Sequence, residues 1–329
     1  MLGISFFVGI FFILRLYIFF ISPAESNGEE QVTIVNEGLS LKEIAENLER
    51  AEIITNKYYF MLLVRGLGYG KEIKAGEYRL GPNMAPRKIL DILTKGVIIT
   101  HSVTIPEGYT KLQIANLLAV KDLVEKQDFL SLTDSPELLA RYGLTSPGLE
   151  GYLYPDTYQF GRGLSTRIII DVMVRRFLEV IKPYRERVAE SGMTMEQVVI
   201  VASIVEKETG RGDERPIIAS VFLNRINKRM RLESDPTVIY GMKDFNGNLT
   251  RKDLSRPNPY NTYTIRGLPP GPIANPGKEA IKAVLYPSKT EYLYFVSKND
   301  GSHHFSKTLS EHNRAVRIYQ KNRRKRRKK

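Results

Sequence analysis

The chain has 329 residues, 42% of them hydrophobic and 26% charged, a composition typical of a folded protein that excludes wholesale disorder. It contains no cysteine, which rules out disulfides, iron–sulfur clusters and thiolate catalysis. With only four histidines, the sequence predicts neither a metal site nor a cofactor.

The net charge of +13 is concentrated at the C-terminus, where eight of the nine residues 321–329 are Lys or Arg and about +5 is left for the rest. Such a block is typical of a disordered tail suited to an anionic surface, such as lipid head groups, wall polymers or nucleic acid. A solvated tail without a partner is the alternative. Because basic residues are not interleaved with aromatics elsewhere, no nucleic-acid partner is expected.

The first 21 residues predict a membrane anchor. Leu2 to Ile21 is rich in Phe, Ile and Leu, is interrupted only by Arg15, and is long enough to cross a bilayer as a helix. The run is long for a signal-peptide core and has neither a charged leading region nor a clear cleavage site, which favours an uncleaved anchor over a removed signal. Residues 22–30 then predict a polar linker.

Residues 31–99 predict a small α+β module. Leu41, Ile44, Ala45 and Leu48 have the spacing of one helical face. The other predicted elements are a strand at 32–34, a helix at 56–65, a strand at 73–80 and a helix at 86–94.

Residues 100–190 predict a second strand–helix unit and a helical connector. The sequence pattern of the first module recurs about seventy residues further on, which indicates an internal repeat. The alternative is chance similarity between two copies of a common supersecondary unit. The matching pairs are Glu37-Gly38 with Glu107-Gly108, Ile44-Ala45 with Ile114-Ala115, and Leu48 with Leu118. Residues 148–160 then predict an irregular aromatic segment, and 166–182 a helix.

The stretch from Thr194 to Gly210 predicts a buried helix whose last turn carries two acidic residues. Thr194 and Gln197 form a capping-box pattern, and Gly210 lies where a C-cap glycine is expected. The apolar run between them ends in Glu206 and Glu208. Burial raises the pKa of a carboxyl group, as general-acid catalysis requires. The alternative is a core helix whose last turn reaches solvent.

The two glutamates cannot act as a carboxylate pair, because residues two apart on a helix point about 200° apart. Glu208 continues the apolar stripe of Val201 and Ile204, whereas Glu206 follows Val199 and Ser203. Both stripes are apolar, so periodicity alone leaves the choice between the two glutamates open.

Three later segments, 234–241, 259–263 and 267–277, are rich in Pro, Gly, Asn and Tyr and follow a helix predicted at 217–230 behind Pro216. Loops of this composition often carry binding residues. Tyr rings and Asn amides suit the faces and hydroxyls of sugars, which indicates a carbohydrate groove. The alternative for 267–277 is a rigid connector.

Five motifs occur together and in order: ASIVEKET (202–209), DPTVIYG (235–241), YNTY (260–263), GLPPGPIANPG (267–277) and HHFSKTLSEHN (303–313). In this set the chain resembles the YceG-like family of endolytic murein transglycosylases. The resemblance covers most of the chain and implies a membrane anchor at 1–21, a LysM-like module at 31–99 and a catalytic domain at 191–320.

The resemblance implies an enzyme of the cytoplasmic membrane, single-pass, with its catalytic domain on the extracytoplasmic side. It would cut peptidoglycan strands internally at the β-1,4 bond from N-acetylmuramic acid to N-acetylglucosamine, leaving a 1,6-anhydro end. Peptidoglycan synthases of elongation or division are the expected protein partners.

The family's catalytic residue is the second glutamate of the EKET motif, here Glu208. One carboxyl group suffices, because the sugar's own 6-hydroxyl attacks the anomeric carbon. The candidates for glycan contact or for support of Glu208 are Glu206, Asp235, Thr237, Tyr240, Tyr260, Asn261, Tyr263, Asn275 and His303. Asp235 has an alternative role as the cap of a turn before Pro236. His303 and His312 both fall in the last motif, where hydrogen bonding is expected rather than metal binding.

Two rival functions stay open. A true muramidase would need a second carboxylate near Glu208, for which Asp213 and Asp235 are the candidates. A non-catalytic wall-binding scaffold would instead tether synthases through the LysM-like module.

Overall fold

The computed structural model describes residues 2–321, with side chains described for residues 7–320. The predicted basic tail therefore lies outside the described residues, except for the backbone of Lys321. The described chain mixes helices with three two-stranded sheets, which confirms the predicted α+β class.

The elements are numbered in chain order. The helices are α1 (Leu2–Ile21), α2 (Leu41–Arg50), α3 (Lys57–Gly66), α4 (Pro86–Lys95), α5 (Lys111–Val120), α6 (Lys126–Thr133), α7 (Pro136–Arg141), α8 (Thr166–Ile181), α9 (Arg185–Glu190), α10 (Met195–Glu208), α11 (Arg215–Asn227), α12 (Asp235–Tyr240), α13 (Arg251–Ser255), α14 (Lys278–Leu285) and α15 (Leu309–Val316). The strands are β1 (Gln31–Val35), β2 (Gly76–Leu80), β3 (His101–Thr104), β4 (Thr157–Phe160), β5 (Tyr294–Ser297) and β6 (His303–Ser306).

The chain forms two compact units. The first comprises the described residues of Met1–Val103, Val120–Val124 and Tyr158–Ile169, and the second comprises those of Thr104–Ala119, Glu125–Thr157 and Ile170–Lys329. By these bounds β3, β4, α5 and α8 belong partly to each unit.

The first unit is built on an antiparallel pair of strands, in which Gln31 of β1 faces Leu80 of β2. Helix α2 begins with a capping box between Ser40 and Glu43, and buries the face predicted from its spacing. The core of the unit comes from β1, β2 and the inner faces of α2, α3 and α4. The unit therefore has the strands and helices predicted for 31–99.

In α1, side chains are described for Phe7–Ile21 only. Within the part of the chain that the structure describes, no single helix is both long and apolar enough to cross a membrane. The segments Thr166–Glu190 and Met195–Glu208 are long and apolar enough only when they are taken together as a pair. The chain bends by 108° between them.

The second unit is centred on α10, whose residues from Val198 to Val205 are all buried. Helices α11 and α14 and the aromatic segment that contains Tyr152 pack around it. The β5–β6 hairpin pairs Tyr294 with Ser306, and its Phe295 packs edge-to-face on Phe222 of α11. An apolar helix with no polar face is stable only when it is enclosed in this way.

Three local predictions need correction. The DPTVIYG segment is not a loop, because it forms helix α12 with Pro236 in its first turn. The aromatic segment 148–160 ends in a strand, β4, rather than staying irregular throughout. Gly210 is not a left-handed cap: α10 ends when Thr209 becomes extended at φ −148°, and Gly210 has no positive φ.

Candidate active site

The predicted capping box starts α10. Thr194 Oγ1 accepts a hydrogen bond from Gln197 N at 3.2 Å, and Gln197 Oε1 accepts one from Thr194 N at 3.0 Å. Further along, Ser203 accepts a hydrogen bond from Ile273 N at 3.0 Å, which ties the proline-rich segment to the helix. The last turn, which carries Glu206 and Glu208, is thus held in a fixed position by the buried body of the helix.

Glu208 is partly exposed, and one of its oxygens has a specific donor. Ser234 Oγ donates a hydrogen bond to Glu208 Oε1 at 2.5 Å. Burial, together with the nearby Asp235 carboxylate, raises the pKa of Glu208 to about 7. The hydrogen bond from Ser234 and the charge of Arg225 act in the opposite direction. At neutral pH the carboxyl group is therefore available both as an acid and as a base.

A pocket of about 410 Å³ opens beside Glu208. This volume is within the range of small-ligand sites. The lining residues combine carboxylates, one guanidinium, aromatic rings and an imidazole, and they are Glu208, Arg225, Leu232, Glu233, Asp235, Tyr263, Tyr294, Phe295, Leu309, His312 and Asn313. We call this the Glu208 pocket.

Two of the predicted motifs meet beneath Ser234. Thr262 Oγ1 accepts a hydrogen bond from Ser234 N at 3.0 Å, and Thr237 Oγ1 donates to Ser234 O at 2.6 Å. The two threonine hydroxyls lie 2.8 Å apart. Thr237 is fully buried, so it supports Ser234 rather than reaching a ligand. Ser234 itself lies just outside the DPTVIYG motif.

Asp235 and Tyr263 lie together in the lining of the Glu208 pocket. Tyr263 OH donates a hydrogen bond to Asp235 Oδ1 at 2.6 Å. Asp235 is the first residue of α12, whose N-cap is Ser234 and which has no side-chain cap hydrogen bond. Asn261 is buried and acts on the backbone: its Nδ2 donates to Arg256 O at 2.8 Å and its Oδ1 accepts from Tyr263 N at 2.9 Å. Asn261 thereby shapes the loop that presents Tyr263.

Glu206 faces different surroundings, as the helical angle predicts. Arg215 Nη2 donates to its Oε1 at 3.0 Å, and Gly277 N donates to its Oε2 at 2.9 Å. Burial raises the pKa of Glu206, while the Gly277 amide and Arg215 oppose the rise. Glu206 is not in the lining of the Glu208 pocket; it links α10 to α11 and to the start of α14.

The remaining predicted tyrosines and Asn275 surround a carboxyl group that sequence reasoning missed, Glu150. It accepts hydrogen bonds from Lys111 N at 3.0 Å, from Tyr240 OH at 3.2 Å and from Asn275 Nδ2 at 2.9 Å. The Tyr260 ring packs on that of Tyr240, with 4.8 Å between their centroids. Tyr240, Tyr260 and Asn275 are not in the lining of the Glu208 pocket, and their contact with glycan stays a prediction.

Burial raises the pKa of Glu150 to about 7, although the hydrogen bonds from Lys111 N and Tyr240 OH favour its charged form. Its only signal in the sequence is an acidic residue within an aromatic segment. Asn275 also accepts from Leu153 N at 2.9 Å and donates to Tyr109 O at 2.9 Å. This cluster stabilises the fold around the GLPPGPIANPG motif.

Of the three histidines in the last motif, His312 lines the Glu208 pocket, whereas His303 and His304 do not. His303 Nδ1 lies 2.6 Å from Glu214 Oε2, and Glu214 Oε1 accepts from His303 N at 2.9 Å. His303 thus anchors β6 to the start of α11. Asp213, the other carboxylate considered for a muramidase, pairs with Arg211 on the surface and is also absent from the lining.

Across the described residues, no three His, Asp or Glu side chains gather in a way that could hold a metal ion. The residues near Glu208 that the sequence did not single out are Ser234, Arg225 and Tyr294. Ser234 adjoins a recognised motif, whereas the other two come from elements that only the tertiary structure brings to Glu208.

Comparison with known proteins agrees with the motif set. An endolytic murein transglycosylase of Bacillus subtilis (strain 168) is 33% identical over 316 residues, which cover 91% of this chain and 88% of that protein. One from Streptococcus pneumoniae serotype 2 (strain D39) is 30% identical over 327 residues, covering 89% of this chain and 59% of the longer relative.

The fold comparison gives the same result. The crystal structure of a yceG-like protein from Listeria monocytogenes matches with a TM-score of 0.61 and 37% identity, over 88% of this chain and all of that one. The sequence profile of the YceG-like family matches residues 33–318. The chain therefore belongs to the YceG-like family.

Proposed function

We propose that this protein is a lytic transglycosylase that cleaves peptidoglycan strands internally, with Glu208 as its single general acid and base. The observation that carries the proposal is a carboxyl group with a pKa of about 7, held by Ser234 at the edge of a pocket. The relatives named as endolytic murein transglycosylases support the substrate and the reaction.

The reaction needs one proton to be donated to the substrate and one proton to be removed from it. Protonated Glu208 gives its proton to the glycosidic oxygen as the bond to C1 of the muramic acid breaks. The sugar's 6-hydroxyl oxygen then bonds to C1, and its proton passes to Glu208, which is restored to its starting form. No water is consumed, and the attacking group is already part of the substrate, which gives it a high effective concentration.

Ser234 orients the carboxyl group for both steps. Its hydroxyl bonds to Oε1, which leaves Oε2 for the substrate. The hydrogen bond also limits the rise in the pKa of Glu208, so that the proton is released readily. The Thr237–Thr262 pair holds the backbone of Ser234 in place.

A hydrolytic muramidase is the second candidate, because the Glu208 pocket contains further carboxylates in Asp235 and Glu233. A carboxylate there could activate water. The hydrogen bond from Tyr263 already occupies Asp235 Oδ1, which weighs against Asp235 in that role.

The decisive experiment digests peptidoglycan with the full chain in detergent and analyses the glycan ends by mass spectrometry. Transglycosylation gives 1,6-anhydro ends, lighter by one water than the reducing ends of hydrolysis. Glu208→Gln should abolish cleavage. Reducing ends from the wild-type chain would establish the muramidase, and full activity of Glu208→Gln would remove Glu208 from the mechanism.

We also propose that α1 anchors the protein in the cytoplasmic membrane, with the catalytic unit on its outer side. Described side chains such as Phe7, Phe11 and Ile13 are exposed on this helix, which suits contact with lipid. Retention of the full chain in the membrane pellet after an alkaline wash would support the anchor, and release into the supernatant would contradict it.

The first unit would serve as a LysM-like module that binds glycan or sets the distance of Glu208 from the membrane. Wall synthases of elongation or division would be the protein partners. Co-purification of the Glu208→Gln chain with such a synthase after cross-linking in cells tests this association, and recovery of no synthase would count against it.

A further inference from the structure

The Glu208 pocket has a wall of three residues whose role the reaction steps leave open. Arg225 comes from α11, Tyr294 from β5 and His312 from α15. The guanidinium of Arg225 lies over the Tyr294 ring at 5.0 Å, and the His312 ring stacks on the same tyrosine with 5.2 Å between centroids. Both polar groups are thus fixed in orientation by one aromatic ring.

Arg225 is buried and holds the surrounding backbone. Its Nε donates to Leu293 O at 2.6 Å, and its Nη1 donates to Leu232 O at 3.0 Å and to Glu233 Oε2 at 3.1 Å. Its Nη2 makes no hydrogen bond with any described residue. This atom is also not fully buried. One edge of a rigid guanidinium therefore remains open beside Glu208.

His312 has a similar free donor. Its Nδ1 is buried without a hydrogen-bond partner among the described residues, whereas its Nε2 is neither buried nor bonded there. A proton on Nδ1 would be a buried donor without an acceptor, so the proton belongs on Nε2. Burial, with the charge of Arg225, lowers the pKa of His312. The ring is therefore neutral at pH 7, and Nε2 is a donor.

The charges of the pocket select the kind of acceptor. Three carboxyl groups, those of Glu208, Glu233 and Asp235, line it together with a single guanidinium. A substrate carboxylate would be repelled by this excess of negative charge, whereas a neutral carbonyl oxygen would not. In a glycan of amino sugars, the neutral carbonyl next to the ring is that of the N-acetyl group.

We propose that Arg225 Nη2 and His312 Nε2 bind the carbonyl oxygen of an N-acetyl group and so position the glycan for Glu208. The two are positioning residues that give the site its preference for N-acetylated sugars. The proposal rests on the proposed function, because it assigns the glycan to the Glu208 pocket.

The test measures binding in the Glu208→Gln background, with the full chain in detergent and isothermal titration calorimetry. The probes are N-acetylated chitotetraose and cellotetraose, which share the β-1,4-linked backbone and lack charge, but only the first carries N-acetyl groups. His312→Phe keeps the ring beside Tyr294 and removes the Nε2 donor. It should weaken chitotetraose binding about tenfold and leave the weaker cellotetraose binding unchanged.

His312→Gln is the rescue variant, because its amide nitrogen reaches about as far as Nε2; it should restore binding to within about threefold. His304→Phe is the control, because His304 lies on β6, the strand paired with that of Tyr294, and is outside the pocket lining; this variant should bind like the parent. Unchanged chitotetraose binding in His312→Phe, an equal loss for both sugars, or no chitotetraose binding by the parent would overturn the proposal.

Binding that depends on His312, combined with a wild-type chain that cuts no peptidoglycan, would refute the proposed function and retain the sugar site. The melting temperature of each variant is compared with that of the parent, so that weaker binding caused by loss of fold is recognised. Arg225 is less suitable for substitution, because removing it would leave several buried carbonyl groups without donors.

Discussion

Glu206 and Glu208 lie two residues apart on one helix, yet they take their hydrogen bonds from different parts of the fold. Glu206 accepts from Arg215 and from the Gly277 amide, whereas Glu208 accepts from Ser234 beside an open pocket. The first carboxylate is held by a cation and a backbone amide, and the second is left free to exchange a proton. Substitutions at the two positions should therefore have different consequences.

Glu206→Gln should destabilise the protein and preserve its chemistry. The variant keeps an acceptor for Gly277 N but removes the charge that pairs with Arg215, which should reduce the free energy of unfolding by about 1–3 kcal/mol. Thermal unfolding measures the loss, and cleavage per folded molecule should stay near that of the wild type. Loss of cleavage with an unchanged melting temperature would instead move the catalytic role to Glu206.

The activity of the wild-type chain should fall on the alkaline side of about pH 7. The reaction begins with protonated Glu208, and burial raises the pKa of this group to about 7. A profile of kcat/KM against pH should therefore decline through that value. An alkaline limb only above pH 9 would point to a different acid.

Ser234→Ala should move that limb to higher pH. The Ser234 hydroxyl favours the charged carboxylate, so its removal raises the pKa of Glu208 further, by roughly one unit for one lost hydrogen bond. Ser220→Ala is the control, because it removes a hydroxyl that bonds to Thr290 outside the pocket. A limb that stays in place in Ser234→Ala would show that the bond does not tune Glu208.

Glu150 should make stability depend on pH. Its pKa is raised from 4.5 to about 7 in the folded chain, so the native state holds a proton that the unfolded state has lost. The resulting stability is fully present below pH 4.5 and is lost as pH rises towards about 7. Chemical denaturation at intervals from pH 5 to pH 7 should show a shallower decline in Glu150→Gln than in the wild type.

The same series on Glu279→Gln, an exposed position on α14, should reproduce the wild-type decline. Equal slopes for the wild type and Glu150→Gln would mean that Glu150 stays ionised throughout this range.

Asn275→Ala should lower stability rather than substrate affinity. Asn275 is fully buried and bonds to Leu153 N, Tyr109 O and Glu150 Oε1. Its truncation leaves buried groups unpaired, at a cost of about 2–4 kcal/mol. Thermal unfolding should show the change while KM for peptidoglycan stays the same. A raised KM without a lower melting temperature would instead support the contact between Asn275 and glycan that the sequence predicted.

The local predictions succeeded where neighbouring residues decide the structure. The capping box of Thr194, the burial of α10 and the first-turn position of Pro216 depend on side chains within one helical turn, so pattern is sufficient for them. The opposite orientation of Glu206 and Glu208 follows from helical geometry alone. The prediction for the end of α10 was wrong in detail, because the helix is terminated by an extended Thr209 and not by a left-handed Gly210.

By itself the sequence determined an α+β chain with a buried acidic helix, and its ordered motifs indicated the family. Only the tertiary structure separated the predicted site residues into those beside Glu208, namely Asp235 and Tyr263, and those around Glu150, namely Tyr240, Tyr260 and Asn275. The physical reason is that contacts such as Ser234 with Glu208, or Asn275 with Leu153, join residues far apart in the chain. Periodicity reports only which face of an element is buried, not which distant side chain it meets.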